Sequence, residues 1–248
     1  MLGRNVLLLV ISLSACLAQD YCDRSLCNYG VKHIACPLDN RFGSACPQDV
    51  TVIAFDQNDI NNVVKAHNLV RQKWANGSKS NLRGSACKMG TMVWDEELAK
   101  LAELNAKSCV MQHDKCHNTQ KYRLSGQNLY ASQFGQTGGW GTPIKSFLVT
   151  AVQMWAKEEK DVTAEDLESY PNFQPKQIGH LTVMINEKSI AVGCAAVTYK
   201  LNDFFHGFNM ACNYAYTNMV DHSVYSVCAK GGSECPNGVS SQYAPLCA

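Results

Sequence analysis

Cysteine content is the feature that most constrains this chain, which has thirteen cysteines in 248 residues. Cys16 falls in a signal-like segment at the N-terminus, and the twelve cysteines that remain are an even number. In an oxidising compartment, an even set of cysteines is typical of a disulfide framework. Zinc ligation is the alternative for Cys22 and Cys27, but no second pair with zinc-finger spacing follows them. We therefore expect six disulfides and no free thiol.

The first eighteen residues predict the compartment. Arg4 precedes an apolar run, and small residues lead to a cleavage site after Ala18. This is the pattern of a secretory signal peptide, and the apolar run is too short to span a bilayer. No other stretch of the sequence could form a transmembrane segment. We expect a protein that is secreted into the extracellular space.

Composition and charge exclude some classes of partner. Lysine and arginine number 22 against 21 aspartate and glutamate, so the chain has no excess charge to attract nucleic acid or an anionic membrane. The hydrophobic fraction of 46% is enough for a sizeable core. We expect one domain of ordinary size with an extension at each end.

Three helices are predicted from caps and periodicity. Asp56 has the features of an N-cap, with Asp59 as its capping-box partner, and Asn76-Gly77 ends that helix. Asp95 begins a second helix, and a third begins at residues 142–143, where a proline suits the first turn. The predicted apolar faces are Ile60, Val63, Val64, Val70 and Trp74; Leu98, Leu101, Ala102 and Cys109; and Ile144, Phe147, Leu148, Ala151, Val152 and Trp155.

Period-two patterning predicts three strands, at residues 179–185, 190–199 and 208–216. We expect them to form a small antiparallel meander, in which a bridge between Cys194 and Cys212 would join neighbouring strands. Helices would cover this sheet on one or both faces, which is an α+β fold. Residues 125–129 are predicted as a turn, 161–177 as irregular chain, and the segment after 216 as lacking a core pattern.

The domain organisation follows from these segments. We predict a signal peptide at 1–18, a disulfide-held N-terminal arm at 19–50, a folded domain at 51–216 and a cysteine-containing C-terminal tail at 217–248. Asn76 begins a glycosylation sequon, which either carries a glycan or stays unused.

Several short motifs in a fixed order resemble the CAP superfamily, which comprises cysteine-rich secretory proteins, antigen 5 and pathogenesis-related proteins. The N-terminal cysteines and the spacing of Cys235 and Cys247 resemble the insect antigen 5 proteins, the fly venom allergens in particular. The motifs are His67-Asn68-x-x-Arg71, Trp94-x-x-Glu97-Leu98-Ala99, His113-Asp114, Gly126-Gln127-Asn128-Leu129, Trp155-x-x-Glu158, Gly179-His180-x-Thr182 and Ala211-Cys212-Asn213-Tyr214.

The resemblance implies a three-layer α-β-α sandwich with a small antiparallel sheet and disulfide-rich extensions at both ends, and residues 51–216 would be the CAP domain. It also implies a set of disulfides, of which the pair between Cys87 and Cys228 is left by elimination. The implied pairs are Cys22 with Cys36, Cys27 with Cys116, Cys46 with Cys109, Cys87 with Cys228, Cys194 with Cys212, and Cys235 with Cys247.

The resemblance also implies a cleft with two histidines and two acids. The positions correspond to His113, His180 and Glu158, while Gln127 stands where the superfamily has glutamate. A neutral amide cannot act as a general base and is a poor cation ligand. Three interpretations stay open: a weak divalent metal site, with zinc as the candidate and not required for folding; a structural polar cluster; or a metal-dependent hydrolase. His67, by contrast, is predicted to be a packed helix residue.

The function implied by the resemblance is that of a secreted, non-enzymatic antigen 5-like protein of the salivary or venom type. It would be a monomer that binds a small hydrophobic ligand, such as a lipid, a sterol or a host mediator, or an extracellular host protein. The alternatives are an extracellular metal-dependent hydrolase and a secreted defence or reproductive protein that acts through a protein partner. Arg83-Gly84-Ser85 lacks the carboxylate of an Arg-Gly-Asp motif, so integrin binding is not expected.

Overall fold

The computed structural model describes residues 19–77, 84–135, 144–173 and 175–248. The predicted signal peptide, Ser78 of the sequon, Arg83 and the predicted start of the third helix at 142–143 lie outside the described residues. Within the described ranges, no helix is long and apolar enough to cross a membrane.

Local capping determines where the first two helices begin, as predicted. The Asp56 carboxylate accepts from the backbone N–H groups of Asn58 and Asp59, and the Asp59 side chain accepts from the Asp56 N–H, which completes a capping box. Asp95 accepts in the same way from Glu97 and Leu98. The helices are α1 (Gln57–Ala75), α2 (Glu96–Ala106), α3 (Ser146–Ala156), α4 (Ala164–Glu168) and α5 (Gly179–Ile185).

Three details of the helix prediction are wrong. Cys109 does not extend α2, because the helix ends at Ala106 and Cys109 has a φ of 57° in the turn that follows. Ile144 precedes α3 rather than belonging to it. The segment predicted as irregular contains α4, which Thr163 caps through the backbone N–H of Asp166.

The main sheet has the strand order β1-β5-β6-β4, with β3 pairing parallel to β5. Its centre is antiparallel, since β6 lies between β5 and β4 and pairs with both. A second, two-stranded sheet joins β2 to β7. The strands are β1 (Thr51–Val52), β2 (Ser85–Ala86), β3 (Val93–Trp94), β4 (Gly126–Gly135), β5 (Ala191–Lys200), β6 (Phe205–Tyr214) and β7 (Val227–Cys228).

The predicted strand at 179–185 is wrong, because these residues form α5. All residues from Leu181 to Ile185 are buried, so the helix has no solvent-facing stripe to reveal its period. The third strand of the central sheet is instead β4, which begins within the predicted turn and pairs with β6 from Gly126 opposite Tyr214 to Gly135 opposite Phe205.

The sheet lies between two helical layers, which confirms the α-β-α sandwich. On one face α2 packs through Ala102 against Ala195 and Ala211. On the other face α1, α3 and α5 pack against alternate residues of the same strands, such as Cys194 and Met210. A Cβ at Gly193 would overlap backbone atoms at the start of α2, so a glycine there allows helix and sheet to approach closely.

The structure contains six disulfides, and they are the pairs that the resemblance implies. Cys194 and Cys212 stand opposite each other in the register of β5 and β6. The C-terminal tail, which has no core pattern in its sequence, nevertheless contributes Val224, Tyr225 and Leu246 to the main core. The bridges are Cys22–Cys36, Cys27–Cys116, Cys46–Cys109, Cys87–Cys228, Cys194–Cys212 and Cys235–Cys247.

Candidate functional site

A polar cavity of about 330 Å³ brings together three of the four predicted cleft residues, and we call it the histidine cavity. His113 comes from the loop after α2, Gln127 from β4, and His180 from the first turn of α5. Tyr170 is another of the lining residues. Glu158, the fourth predicted residue, does not line the cavity but contacts His180 from behind.

Glu158 holds His180 and the start of α5 in place. Its Oε1 lies 2.6 Å from His180 Nδ1, and its Oε2 accepts from the Leu181 backbone N–H at 2.9 Å. The Trp155 ring stacks on the imidazole, with 6.0 Å between ring centroids. Because the Glu158 carboxylate can only accept a hydrogen bond, a neutral His180 ring carries its proton on Nδ1 and its lone pair on Nε2.

Gln127 holds His113 in a similar way. The Gln127 amide oxygen lies 2.9 Å from His113 Nδ1 and accepts its proton. The amide nitrogen donates to Asp114 Oδ2 at 2.6 Å and to Asn213 Oδ1 at 2.9 Å, which fixes the orientation of the amide. His113 therefore also presents a lone pair on Nε2.

Asp114 is an acid at this site whose role the sequence reasoning missed, although it belongs to the His113-Asp114 motif. Its side chain is 9% exposed behind Gln127, and its Oδ1 lies 2.7 Å from His117 Nδ1. Burial raises the pKa of the Asp114 carboxyl, but the hydrogen bonds from His117, Gln127 and Asn105 outweigh burial and leave the pKa below its ordinary value. The second acid of the site is therefore a partner of Gln127 rather than a group that lines the cavity.

The donor set of the histidine cavity fits a divalent metal such as zinc. Within the described part of the chain, neither His113 Nε2 nor His180 Nε2 has a hydrogen-bond partner, whereas each Nδ1 donates to an oxygen. Metal-ligating histidines in proteins are usually oriented in this way by a second group. Glu158 uses both carboxylate oxygens for His180 and Leu181, so it is placed to orient a ligand rather than to be one.

A closed metal site is not built from these residues. Among the residues that the structure describes, the one group of three ligand atoms within 4.8 Å of one another is Cys87, Cys228 and Glu234. Cys87 and Cys228 are joined in a disulfide, so neither sulfur is available as a thiolate. The histidine cavity could hold a metal only as an open site with two histidine ligands.

A larger opening of about 560 Å³ lies between α1 and α3, and we call it the α1–α3 groove. The two helices run in the same direction, since Lys145 pairs with Asp59 near their N-termini and Lys73 pairs with Glu159 near their C-termini. The sequence reasoning missed this groove, although Leu69 could have indicated it as an apolar residue on the polar side of α1. The lining residues are Asn62, Lys65, Ala66, Leu69, Val70, Lys73, Trp74, Val149, Val152, Gln153, Ala156, Lys157 and Glu159.

Comparison with known proteins finds relatives of similar sequence, and the two described next are both named as allergens. Venom allergen-1 of Aedes aegypti is 37% identical over 238 residues, which cover 96% of this chain and 90% of that protein. The antigen 5 like allergen Cul n 1 of Culicoides nubeculosus is 32% identical over 212 residues, which cover 81% of this chain and 93% of the relative.

Solved structures share the fold. Na-ASP-1 has a TM-score of 0.62 and 25% identity, and the match covers 84% of this chain and 50% of that one. NaASP2, crystallised with Zn²⁺, has a TM-score of 0.58 and 23% identity, with 82% of this chain and all of that chain covered. The model of the cysteine-rich secretory protein family, CAP, matches residues 64–214. The chain belongs to the CAP family of cysteine-rich secretory proteins.

Proposed function

We propose that this is a secreted, non-enzymatic binding protein of the antigen 5 type, which takes a small hydrophobic ligand in the α1–α3 groove. The observation that carries the proposal is the groove itself. Its volume of about 560 Å³ lies within the range of small-molecule sites, and its floor is largely apolar. The family, the disulfide framework and the predicted signal peptide support an extracellular setting, and venom allergens among the relatives support a salivary or venom role.

The lining of the groove favours an amphiphile with an acidic head. Ala66, Val70 and Val152 offer an apolar floor, from which an alkyl chain would displace water. Lys65 stands at the rim and forms no ion pair with any residue that the structure describes. A fatty acid or a lipid mediator with a carboxylate meets both requirements, and a sterol would meet the apolar one.

The histidine cavity has the character of a binding site rather than a hydrolytic centre. A peptidase needs a carboxylate that can take a proton from a metal-held water. Glu158 already engages His180 and Leu181 with its two oxygens, and Gln127 is a neutral amide. His113 and His180 would hold a divalent cation weakly, and the bound cation would supply a Lewis-acid centre that polarises a ligand oxygen. Among the described residues that line this cavity, none offers the carboxylate that the hydrolase interpretation needs.

Titration calorimetry with stearate on the purified mature protein tests whether the α1–α3 groove is the ligand site. Leu69 is 49% exposed in the groove, and Leu69→Asp places a carboxylate next to the apolar chain. We expect saturable binding to the natural protein and an affinity at least about tenfold lower in Leu69→Asp.

The matched control is Leu38→Asp, because Leu38 is 62% exposed in the N-terminal arm and far from the groove in sequence. Its stearate affinity should equal that of the natural protein, and circular dichroism should show that both variants keep their fold. Equal stearate affinity in all three proteins would remove the groove as the binding site. The absence of any saturable uptake of stearate would contradict the proposed function.

A further inference from the structure

The α1–α3 groove contains a buried donor, the indole N–H of Trp74. Trp74 lies in the last turn of α1, is 2% exposed and lines the groove. Its indole Nε1 is buried and has no hydrogen-bond partner among the residues that the structure describes. Trp155 Nε1 donates to the Leu129 carbonyl at 3.0 Å, and Trp94 Nε1 donates to Glu96 at 3.1 Å. Trp74 is therefore the exception among the tryptophans that the structure describes.

An unpartnered buried N–H calls for an explanation, because leaving a donor desolvated destabilises the folded chain. The indole nitrogen can only donate, so the missing partner is an acceptor. The nitrogen exposes less than 1 Å² of surface, so a small displacement of the groove floor must accompany its pairing. The position of Trp74 in the groove indicates that a ligand atom can supply the acceptor.

The charges along the groove suggest how such a ligand would be oriented. Lys73 pairs with Glu159 at 2.6 Å, and the Lys157 ammonium lies 3.3 Å from Met154 Sδ. Neither Lys65 nor Lys157 has an ion-pair partner among the described residues, and Lys65 stands nine residues before Trp74, which is about 13.5 Å along the helix axis. An acidic head at Lys65 would leave the middle of a long chain near the indole.

We propose that the Trp74 indole N–H donates to an oxygen on the chain of the ligand, so that the α1–α3 groove selects oxygenated fatty acids over unsubstituted ones. The proposal rests on the proposed function of the groove. A hydroxyl or keto group enters an apolar site at a cost unless it finds a partner there. An unsubstituted chain leaves the indole donor unpaired, and sites that hydrogen-bond a ligand hydroxyl discriminate against the analogue that lacks it.

The test compares 12-hydroxystearate with stearate, which differ in one hydroxyl group, by titration calorimetry. We expect the natural protein to bind the hydroxylated acid about tenfold more tightly. Trp74→Phe keeps an aromatic ring and removes the donor, so the ratio of the two affinities should fall to about one, whatever the change in absolute affinity. Trp94→Phe is the matched control, because it removes an indole N–H outside the groove, and it should keep the preference.

A second readout separates a direct hydrogen bond from an effect of ring size. In a sample labelled with ¹⁵N at its indoles, the Trp74 N–H resonance should move downfield with 12-hydroxystearate and less with stearate. Equal affinity for the two acids in the natural protein, with both affinities lowered in Leu69→Asp, would overturn this inference and leave the proposed function intact. A preference that survives in Trp74→Phe would also overturn the inference. If neither acid binds, both the proposed function and the inference fail.

Discussion

His67 shows how burial sets the chemistry of a single residue in this fold. It is fully buried on α1, and its Nδ1 donates to the Val63 carbonyl at 2.8 Å. Its Nε2 accepts from the Tyr214 hydroxyl at 2.9 Å, and that hydroxyl accepts in turn from Asn128. The prediction of a packed, hydrogen-bonded histidine is confirmed. Burial lowers the pKa of His67 to about 4.

This pKa makes stability depend on pH in a defined window. The unfolded chain binds a proton at His67 near the ordinary histidine pKa of about 6.5, whereas the folded chain resists protonation until about pH 4. The unfolded state therefore holds more protons in this window, and the free energy of unfolding decreases as the pH falls. At pH 4 the loss from this group should reach roughly 3 kcal/mol relative to pH 7.

Urea unfolding at pH 7 and pH 4, with the disulfides intact, measures this dependence. His67→Gln removes the titrating ring and should reduce the difference in unfolding free energy between the two pH values. His222 is exposed, so His222→Gln should leave the difference as it is in the natural protein. The assignment fails if His67→Gln and His222→Gln show the same pH dependence.

The order of elements places Glu158 against His180. Glu158 lies in the 3₁₀ turn Lys157–Lys160 that continues α3, and this turn meets the first residues of α5.

If His113 and His180 bind zinc, His180→Ala should abolish binding. Glu158→Ala should lower the affinity about 10- to 100-fold, the usual effect of losing a group that orients a ligand. Zinc calorimetry at neutral pH measures both.

Glu159→Ala is the control for this prediction, because the adjacent glutamate pairs with Lys73 and not with a histidine. Its zinc affinity should be unchanged. Affinity for every form that still binds zinc should fall on acidification, since only neutral imidazoles ligate a metal. Zinc affinity that is unchanged in His180→Ala would end the metal hypothesis and favour a purely structural polar cluster.

The elements differ in how well local sequence predicts them. The starts of α1 and α2 were predictable because Asp56 and Asp95 act on backbone groups within a few residues. The helix α5 was not predictable, since seven residues give too few turns for a helical period and five of them are buried. The strand β4 was not predictable either. Its pairing with β6 joins segments far apart in sequence, and the polar residues at its start are typical of a turn.

At the scale of the whole molecule, the C-terminal tail is part of the core rather than an appendage. Leu246 is fully buried, and the backbone of Cys247 pairs with Met89. No periodic pattern could predict this, because single tail residues reach the core from an irregular backbone. Local sequence patterns could likewise not predict the α1–α3 groove or the contacts of Asp114, since both depend on how separate elements pack.

The N-terminal arm depends on its disulfides more than the sheet does. Its clusters of buried apolar residues are small, one around Leu26 and one at Val50, whereas Cys194 and Cys212 are 3% and 0% exposed inside the sandwich. A bridge contributes typically about 2–4 kcal/mol by constraining the unfolded chain. Reductants should therefore reach the bridge between Cys22, which is exposed, and Cys36 well before the bridge between β5 and β6.

Mild reduction should thus loosen residues 19–50 while the sheet stays folded. Alkylation followed by peptide mass spectrometry should label Cys22 and Cys36 first, and Cys194 and Cys212 last. Amide hydrogen exchange in the same samples should rise in the arm before it rises in β5 and β6, because the sheet keeps its packing against both helical layers. Labelling of Cys194 as early as Cys22, or one cooperative loss of all protection, would show that the arm and the sandwich form a single stability unit.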